Sequence, residues 1–451
     1  MAPVADLGDL CRAALAGARR SEEAEAYASE SRRTEVKARG GQVDALTQAA
    51  SRGIGVRVVV DGRLGYAWAA DPDLEEAKDL LSAAREAASS GTPDEANGLP
   101  PAGPAEPIPG LFRSAVVDLD PERKVSLALD LERATIAAHP DTRRVEEVMY
   151  GDAVSRVALA NTEGLDAEYR RTDCWCVVSA LAERDGETQS GFAFRVAREP
   201  DELEWEEAAR EAAERGARLL GSVKPTTERL PVVLDPWAAA SFLGVLASSL
   251  SAEEVQKGRS LLAGLVGEGV GSEVVTLVDD GRLADGPAAA PFDDEGVPTV
   301  RSPLIEGGVL LGFLHNATTA RRDGSRSTGN GSRPSYRGVP GVAPTNLVLG
   351  PGSDPVDSLL RRAGRSVYVQ DVKGVHSGAN PVSGEFSVGA SGLRVQDGAL
   401  GEPLREMTIA STLPDVLRGI QALGSDLRFF PGAGAIGTPT ILVGEMTVAG
   451  V

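Results

Sequence analysis

The segment GIGVRVVVDGRLGYAWAADPD, residues 53–73, contains two runs of strand-forming residues separated by Asp61-Gly62. Glycine adopts a positive φ without steric penalty and aspartate tolerates one, so this dipeptide predicts a tight hairpin between two antiparallel strands. The tripeptide Asp-Pro-Asp at 71–73 is typical of a helix N-terminus, and the helix is predicted to continue to about Ser89. A hairpin followed directly by a helix predicts the α+β class.

The same order of elements occurs twice in the N-terminal half of the chain. The predicted strands are 25–38, 43–49, 53–60 and 63–70 in the first region, then 145–160, 165–169, 172–183 and 188–197 in the second, and the flanking helices are 7–18, 74–89, 121–138 and 202–220. Helix, four strands and helix therefore repeat. This repetition indicates either a duplicated α+β unit or one larger sheet with helices on one face.

Four regions follow from these patterns. Residues 1–90 form an N-terminal α+β region, and residues 111–225 form a central α+β region. Between them, residues 91–110 contain six prolines, a density that excludes helix and sheet and predicts an exposed linker. Residues 226–451 alternate short β-branched runs with Gly, Pro, Asn and Ser clusters, which predicts a β-rich C-terminal domain with one buried helix at 237–250.

Composition and charge indicate a soluble cytoplasmic protein. The 451 residues include 46 Lys and Arg against 66 Asp and Glu, a net charge of −20, whereas nucleic-acid binding needs clustered basic residues. Three cysteines cannot form a disulfide framework for this length, which fits a reducing compartment. The N-terminal residues do not resemble a signal peptide, and no segment offers the ~20 consecutive apolar residues of a membrane span.

Recognisable catalytic motifs are missing from the sequence. The three histidines, His139, His315 and His376, are not spaced as the pair on a zinc-protease helix, and polar loop roles are the more frequent outcome for them. Neither a G-x-S-x-G elbow nor a phosphate-binding P-loop occurs. The residues therefore predict no self-contained metal-binding or nucleophilic centre.

Three other patterns favour structural interpretations. Cys174 and Cys176 project from one face of a predicted strand, where buried cysteine usually acts as a small hydrophobe. Residues 432–437 match G-x-G-x-x-G, but Pro439 follows where a helix should begin, so we expect a constrained loop and not a dinucleotide site. The acidic triplet at 293–295 is consistent with a divalent-ion site, although a solvated acidic turn is the more frequent outcome.

Several longer phrases carry a resemblance to a known family. Besides GIGVRV and DGRLGY near the N-terminus, they are FDDEGVPT (292–299), GFLHNATTAR (312–321), STGNG (327–331), PTNL (344–347) and GANPVSGEFSVGASG (378–392). From about residue 20 to the C-terminus the chain resembles the TldD/PmbA family, historically called modulators of DNA gyrase. In that family two related subunits form a protease. The TldD-type subunit carries a zinc-binding H-E-x-x-x-H helix, which the TldE/PmbA-type subunit lacks.

The sequence departs from the TldD pattern at this metal helix. Counting back from KGRS at 257–260 places the first histidine on Leu243, the glutamate on Gly244 and the second histidine on Ser248. Leucine has no lone pair for a metal, glycine has no base to activate water, and serine is a poor zinc ligand. The resemblance therefore implies a TldE/PmbA-type subunit with no catalytic or metal-binding residue of its own, and zinc is expected in its partner.

The resemblance also implies a partner and a substrate class. The chain is expected to pair with a TldD-like metalloprotease subunit and to enclose a chamber for peptides or unfolded segments, which commonly bind as added strands. The candidate residues for the chamber or the subunit interface are His315, Asn316, Arg321, Ser327, Thr328, Asn330, His376 and Asn380. Structural turns are an equally good interpretation of these loops. The alternatives are a stand-alone homodimeric binding or scaffold protein and a divergent hydrolase that uses His315 or His376.

Overall fold

The computed structural model describes residues 5–450. The helices are α1 Leu7–Leu15, α2 Leu74–Ser89, α3 Ser114–Val117, α4 Pro121–Ala138, α5 Trp205–Ala217, α6 Pro236–Ser249, α7 Ala252–Gln256, α8 Ala317–Arg322, α9 Val356–Ala363, α10 Val375–Gly378 and α11 Leu413–Gly419. The strands are β1 Glu23–Arg39, β2 Gln42–Val60, β3 Arg63–Ala70, β4 Thr142–Asn161, β5 Asp166–Arg184, β6 Glu187–Ala197, β7 Glu228–Leu234, β8 Leu277–Asp280, β9 Arg301–Glu306, β10 Val309–Leu310, β11 Gly331–Ser332, β12 Gly341–Val342, β13 Asn346–Leu349, β14 Ser366–Lys373, β15 Glu385–Gln396, β16 Ala399–Thr412, β17 Ile420–Leu423, β18 Arg428–Gly432, β19 Gly434–Thr438 and β20 Ile441–Gly450.

The first six strands form one antiparallel sheet in the order β3-β2-β1-β4-β5-β6. Strands β1 and β4 pair along their length and so join the two halves edge to edge. Helices α1 and α2 cover the first half, and α4 and α5 cover the second. Both helix layers lie on the same face, since Ala26 and Val36 of β1 contact one layer each and even-numbered residues of a strand share a face. The predicted α+β class is confirmed, in the form of one larger sheet with helices on one face.

Each half contributes three strands, so the prediction of four is wrong. Strand β2 continues unbroken through the predicted strands 43–49 and 53–60, and β5 likewise joins 165–169 to 172–183. Most side chains at 42–51 are exposed on both faces of β2, so this part of the strand has no apolar alternation for a sequence pattern to detect. The repeated unit is therefore helix, three strands and helix.

The structure confirms the predicted hairpin turn at Asp61-Gly62 and the predicted start of helix α2. Asp61 and Gly62 have φ values of 49° and 72°, and both residues lie in the left-handed region that a tight hairpin requires. Asp73 caps α2, because its Oδ1 accepts hydrogen bonds from the backbone N–H groups of Glu75 and Glu76 at 2.9 Å. These two short motifs fix the first hairpin and the helix that packs on it.

The proline-rich segment 91–110 has no helix or strand, and all of it lies within the described residues. It is not exposed throughout, however, because Ala96, Leu99 and Ile108 are buried. Arg321 of the C-terminal domain donates hydrogen bonds to the carbonyl oxygens of Ala96 and Leu99. The prediction of an exposed linker is therefore wrong in this respect, since the segment is packed against the C-terminal domain.

The C-terminal domain contains two further six-stranded sheets, in the orders β10-β9-β8-β13-β19-β18 and β16-β15-β14-β7-β20-β17. Pairing of β16 with β20 closes five strands of the second sheet into a ring. Helix α6 lies between the two sheets and contacts β7 and β14 of one and β18 and β19 of the other. The domain is β-rich, as predicted, and α6 is its buried helix.

Two of the sequence motifs, the cysteine pair and the glycine-rich motif, are parts of the sheets. Cys174 and Cys176 are buried on the helix-covered face of β5, and burial raises the pKa of the Cys176 thiol to about 12. Residues 432–437 form the tight hairpin between β18 and β19 instead of the expected loop, with no helix after it. Within residues 5–450, no helix is both long and apolar enough to cross a membrane.

Candidate functional site

Helix α6 carries the three positions that the sequence aligns with a metal-binding helix. Asp235 caps it, because its Oδ1 accepts a hydrogen bond from the N–H of Trp237 at 3.0 Å, and Pro236 occupies the first turn. Leu243 is only 5% exposed and packs in the main core of the C-terminal domain, whereas Ser248 is exposed. The helix therefore turns position 243 toward the core and position 248 toward solvent.

The side chains of Leu243, Gly244 and Ser248 do not form a zinc-binding site. The Ser248 hydroxyl donates to the carbonyl oxygen of Val245 at 3.0 Å and so is engaged by its own helix. A Cβ placed on Gly244 meets nothing within 4 Å, so that position faces open space. Leucine and glycine side chains supply no ligand atom, and serine is a poor one. Among residues 5–450 there is also no group of three or more His, Cys, Asp or Glu side chains placed to hold a metal.

His315 precedes α8, and the turn at 327–328 holds its backbone. Its N–H donates to the Thr328 Oγ1 at 2.8 Å, and its carbonyl oxygen accepts a hydrogen bond from the Ser327 hydroxyl at 3.1 Å. The ring is buried, its Nδ1 has no hydrogen-bond partner within the described chain, and burial lowers the pKa of the imidazole. The imidazole is therefore neutral at neutral pH.

Asn316 and Arg321 both hold local structure together. The Asn316 Oδ1 accepts a hydrogen bond from the N–H of Thr319 at 2.8 Å and caps α8. The Arg321 guanidinium lies at the other end of this short helix and binds the proline-rich segment through the two carbonyl contacts described above. Helix α8 therefore connects the C-terminal domain to the segment between the two halves of the N-terminal sheet.

Asn330 lies in a buried polar cluster. It is 2% exposed, its Nδ2 donates to the Asp279 Oδ2 at 2.7 Å, and its Oδ1 accepts a hydrogen bond from the Thr328 hydroxyl at 2.7 Å. Asp279 also accepts hydrogen bonds from the backbone and hydroxyl of Thr345, and burial raises its pKa to about 6. The STGNG turn is thus tied to β8 by side chains that hydrogen-bond one another.

His376 and Asn380 lie in a different loop, and both are exposed. The Asn380 Oδ1 accepts hydrogen bonds from the N–H groups of Val382 and Ser383, which closes a turn of the loop. The loop lies beside the end of α6, where the Ser249 hydroxyl contacts the carbonyl oxygen of Pro381 at 3.4 Å. No hydrogen bond joins His315 to His376 within the described residues. A role for these loops in a chamber or interface stays a prediction.

Asp293 and Glu295 are buried and Asp294 is half-buried, so the expectation of a solvated acidic turn is wrong. Glu295 is fully buried, and its Oε1 accepts a hydrogen bond from the Arg57 Nη1 at 2.9 Å. The Arg57 Nη2 donates to the Glu25 Oε2 at 2.8 Å, and Glu25 forms a second ion pair with Arg333. We call Glu25, Arg57, Glu295 and Arg333 the charge network. It joins the N-terminal sheet to the C-terminal domain through paired charges.

The charge network does not follow from the sequence patterns, although Arg57 and Glu295 both stand in phrases that carry the family resemblance, GIGVRV and FDDEGVPT. Arg57 stands between Val56 and Val58 in an apolar run, and an arginine within a buried strand indicates a buried anionic partner. The identity of that partner does not follow from the chain order, because Glu295 is 238 residues away.

Known proteins match the chain along nearly its whole length. The PmbA/TldA metallopeptidase domain 1 matches residues 24–90, the central domain matches 115–220, and the C-terminal domain matches 227–450. An uncharacterized protein of Methanocaldococcus jannaschii is 31% identical over 350 residues, which cover 77% of this chain and 79% of that protein. Metalloprotease PmbA of Escherichia coli is 26% identical over 441 residues, covering 96% and 93%.

Two solved structures share the fold. One, described as a modulator of a DNA gyrase from Thermotoga maritima, has a TM-score of 0.89 at 30% identity and covers 97% of this chain and 98% of its own. TldE from Thermococcus kodakarensis has a TM-score of 0.88 at 24% identity, with 95% and 97% covered. The three matched domains and this fold define a metalloprotease-like protein. The chain belongs to the PmbA/TldD family, as the resemblance predicted.

Proposed function

We propose that this chain is the zinc-free, TldE/PmbA-type subunit of a cytoplasmic heteromeric metalloprotease that acts on peptides or unfolded segments. One observation carries the proposal. At the position of the first metal histidine, Leu243 lies in the core of the C-terminal domain. Gly244 has no side chain that could activate water, and the Ser248 hydroxyl is a poor zinc ligand that is already bonded to its own helix. The zinc and the water-activating glutamate are therefore assigned to a TldD-like partner. Relatives named metalloproteases, both PmbA and TldD types, support the protease assignment.

An uncovered strand edge supports assembly with such a partner. Strand β3 pairs with β2 only from Gly53 onward, so residues 42–51 of β2 have β1 on one side and no strand on the other within the described chain. Leu46 is 48% exposed and Val43 is 38% exposed in this stretch. The stretch contains one charged residue, Asp44, and none of the lysines or prolines that protect edge strands. We assign this edge to the TldD-like subunit, which would add a strand to it.

Co-expression with an H-E-x-x-x-H-bearing homologue from the same organism tests the proposal. The two chains are expected to co-purify, and zinc and peptide cleavage are expected in the complex but not in this chain alone. Replacing the first histidine of the partner's helix with alanine should abolish cleavage, whereas Ser248→Ala in this chain should leave cleavage unchanged. Failure of the chains to associate, or stoichiometric zinc in the isolated chain, would overturn the proposal.

A stand-alone homodimeric scaffold without protease activity is the alternative function. The same uncovered edge favours it, because an edge strand can pair with a second copy of itself as well as with a related chain. The molecular mass of the isolated chain in solution, measured with and without the TldD-like chain, separates the two functions. A homodimer that persists in the presence of the homologue would favour the scaffold.

A further inference from the structure

A groove follows strand β5 along the helix-free face of the N-terminal sheet. Its floor is formed by alternate residues, since every second side chain of a strand points to the same face; they are Tyr169, Arg171, Asp173, Trp175 and Val177. Two cavities of about 530 and 440 Å³ make up this groove. Arg171, Ala288 and Gly434 line both cavities, so the two lie side by side along the strand. The C-terminal domain supplies the opposite wall.

The larger cavity, which we call the aromatic cleft, is strongly apolar. Only 4% of the chain is aromatic, yet the cleft gathers Trp175, Phe192, Phe194, Trp237 and Phe430. The rings of Phe192 and Trp237 are 4.5 Å apart, and those of Trp237 and Phe430 are 5.4 Å apart. The Trp237 Nε1 donates to the Asp371 Oδ1 at 3.0 Å, which fixes this ring. Partly exposed, fixed aromatic surfaces are typical of a ligand site.

The charges around the aromatic cleft are already paired. Arg33 stacks on the Trp175 ring at 4.7 Å and forms an ion pair with Glu35. Arg171 forms an ion pair with Asp173 at 3.1 Å. A charged ligand group entering the cleft would lose its hydration without gaining a partner, and that loss opposes binding. The electrostatics of the walls therefore match an uncharged, apolar group.

The smaller cavity supplies a polar continuation of the groove. It is lined by the hydroxyl-bearing side chains of Ser29, Ser31, Ser155 and Ser335 and by the half-buried carboxylate of Asp294. Hydroxyls both donate and accept hydrogen bonds and a carboxylate accepts them, so this lining suits the alternating donors and acceptors of a peptide backbone. The groove thus joins an apolar site to a polar track, which is the arrangement that an extended peptide with one large side chain would fill.

We propose that the aromatic cleft binds a bulky uncharged side chain, such as Phe or Leu, of an extended peptide whose backbone continues along the polar part of the groove. This inference rests on the proposed function, because it identifies the class of peptide that the assembly accepts. A cavity of about 530 Å³ is enough for one or two large side chains. The cleft selects for apolar residues, and the partner performs the cleavage.

Peptide binding to the isolated chain tests the inference directly. Pentapeptides of alanine with Phe, Leu, Asp or Lys at the centre are titrated by calorimetry and by intrinsic fluorescence, since Trp175 and Trp237 are two of the four tryptophans. The Phe and Leu peptides should bind at least tenfold more tightly than the Asp and Lys peptides. Trp175→Ala should weaken binding of the Phe peptide at least tenfold.

A matched control is available on the same sheet. Arg337 stacks on the Trp68 ring at 4.9 Å, as Arg33 does on Trp175, but Trp68 lies outside the cleft. Trp68→Ala should leave peptide affinity unchanged, and Val177→Asn provides a second cleft variant if Trp175→Ala does not fold. Equal binding of the Phe and Asp peptides, or wild-type affinity in the folded cleft variants, would overturn the inference. Selective binding without assembly with a TldD-like chain would instead count against the proposed protease.

Discussion

Arg57 of β2 and Glu295 of the C-terminal domain form a buried ion pair with an Nη1–Oε1 distance of 2.9 Å. Their side chains are 2% and 0% exposed, and the residues are 238 positions apart in sequence. Burying two charges is costly, and the cost is offset only while both remain paired. The pair therefore makes the stability of the N-terminal sheet depend on the C-terminal domain.

Glu295→Gln should destabilise the protein by about 3–5 kcal/mol, because it leaves Arg57 with reduced charge compensation in a buried site. The matched control is Asp166→Asn, which breaks the exposed pair between Arg12 and Asp166 and should cost no more than about 1 kcal/mol. Chemical denaturation of both variants measures the difference. Equal effects in the two variants would contradict the prediction.

Asp279 should make stability depend on pH. Burial raises its pKa to about 6, from an ordinary value of 3.8, so the native state holds the proton more tightly than the unfolded chain does. This contribution is complete below about pH 4 and is lost as the pH rises through 6. Asp279→Asn cannot ionise, so its stability relative to wild type should rise by about 2 kcal/mol between pH 4 and pH 7. Denaturation midpoints at the two pH values test this, and a pH-independent difference would refute it.

Two glycine substitutions should have opposite effects on stability. A Cβ on Gly191 of β6 would lie 2.1 Å from the carbonyl oxygen of Ala212 in α5, so Gly191→Ala should destabilise by about 1–3 kcal/mol. Gly244 lies within α6 with free space around it, so Gly244→Ala should stabilise by about 0.5–1 kcal/mol. Thermal unfolding of the two variants reports the sign. Shifts in the same direction would be inconsistent with the packing described.

Leu46→Lys should weaken association with the TldD-like subunit at least tenfold. A lysine on an open strand edge opposes the addition of another strand, and Leu46 stands in the middle of the uncovered stretch of β2. Val117→Lys introduces the same charge at a position that is 53% exposed on α3, and it should leave the affinity unchanged. Calorimetric titration of the two chains provides the measurement. Identical affinities for both variants would place the interface elsewhere.

Local chemistry accounts for the part of the fold that the sequence predicts well. Asp61-Gly62 and Asp73 fix a hairpin and a helix start through atoms only a few residues away. Helix α4, predicted at 121–138, has those bounds because Pro121 begins it and His139 leaves the helical conformation. The division of β2 into two strands was wrong because the exposed stretch at 42–51 has no core to impose alternation.

Long-range packing accounts for what the sequence does not predict at the site. Leu243 stands in an apolar run, and that local pattern alone predicts its burial. The structure confirms that Leu243 is buried. The burial of Glu295 instead depends on its pairing with Arg57, from a strand more than 230 residues earlier. Tyr169, Arg171 and Asp173 look like a solvent face within β5, and they line a groove only because loops of the C-terminal domain pass over them.

The Glu25–Arg333 pair also has a consequence during synthesis. The two residues are 308 positions apart, so at ordinary translation speeds the ribosome adds the arginine about 15 to 60 s after the glutamate. Throughout that interval the emerging N-terminal sheet carries Glu25 and Arg57 at a surface that the finished protein buries. The nascent chain therefore completes the pairing of Glu25 only after Arg333 of the C-terminal domain has been added, and this delay is the period in which chaperones would have access to it.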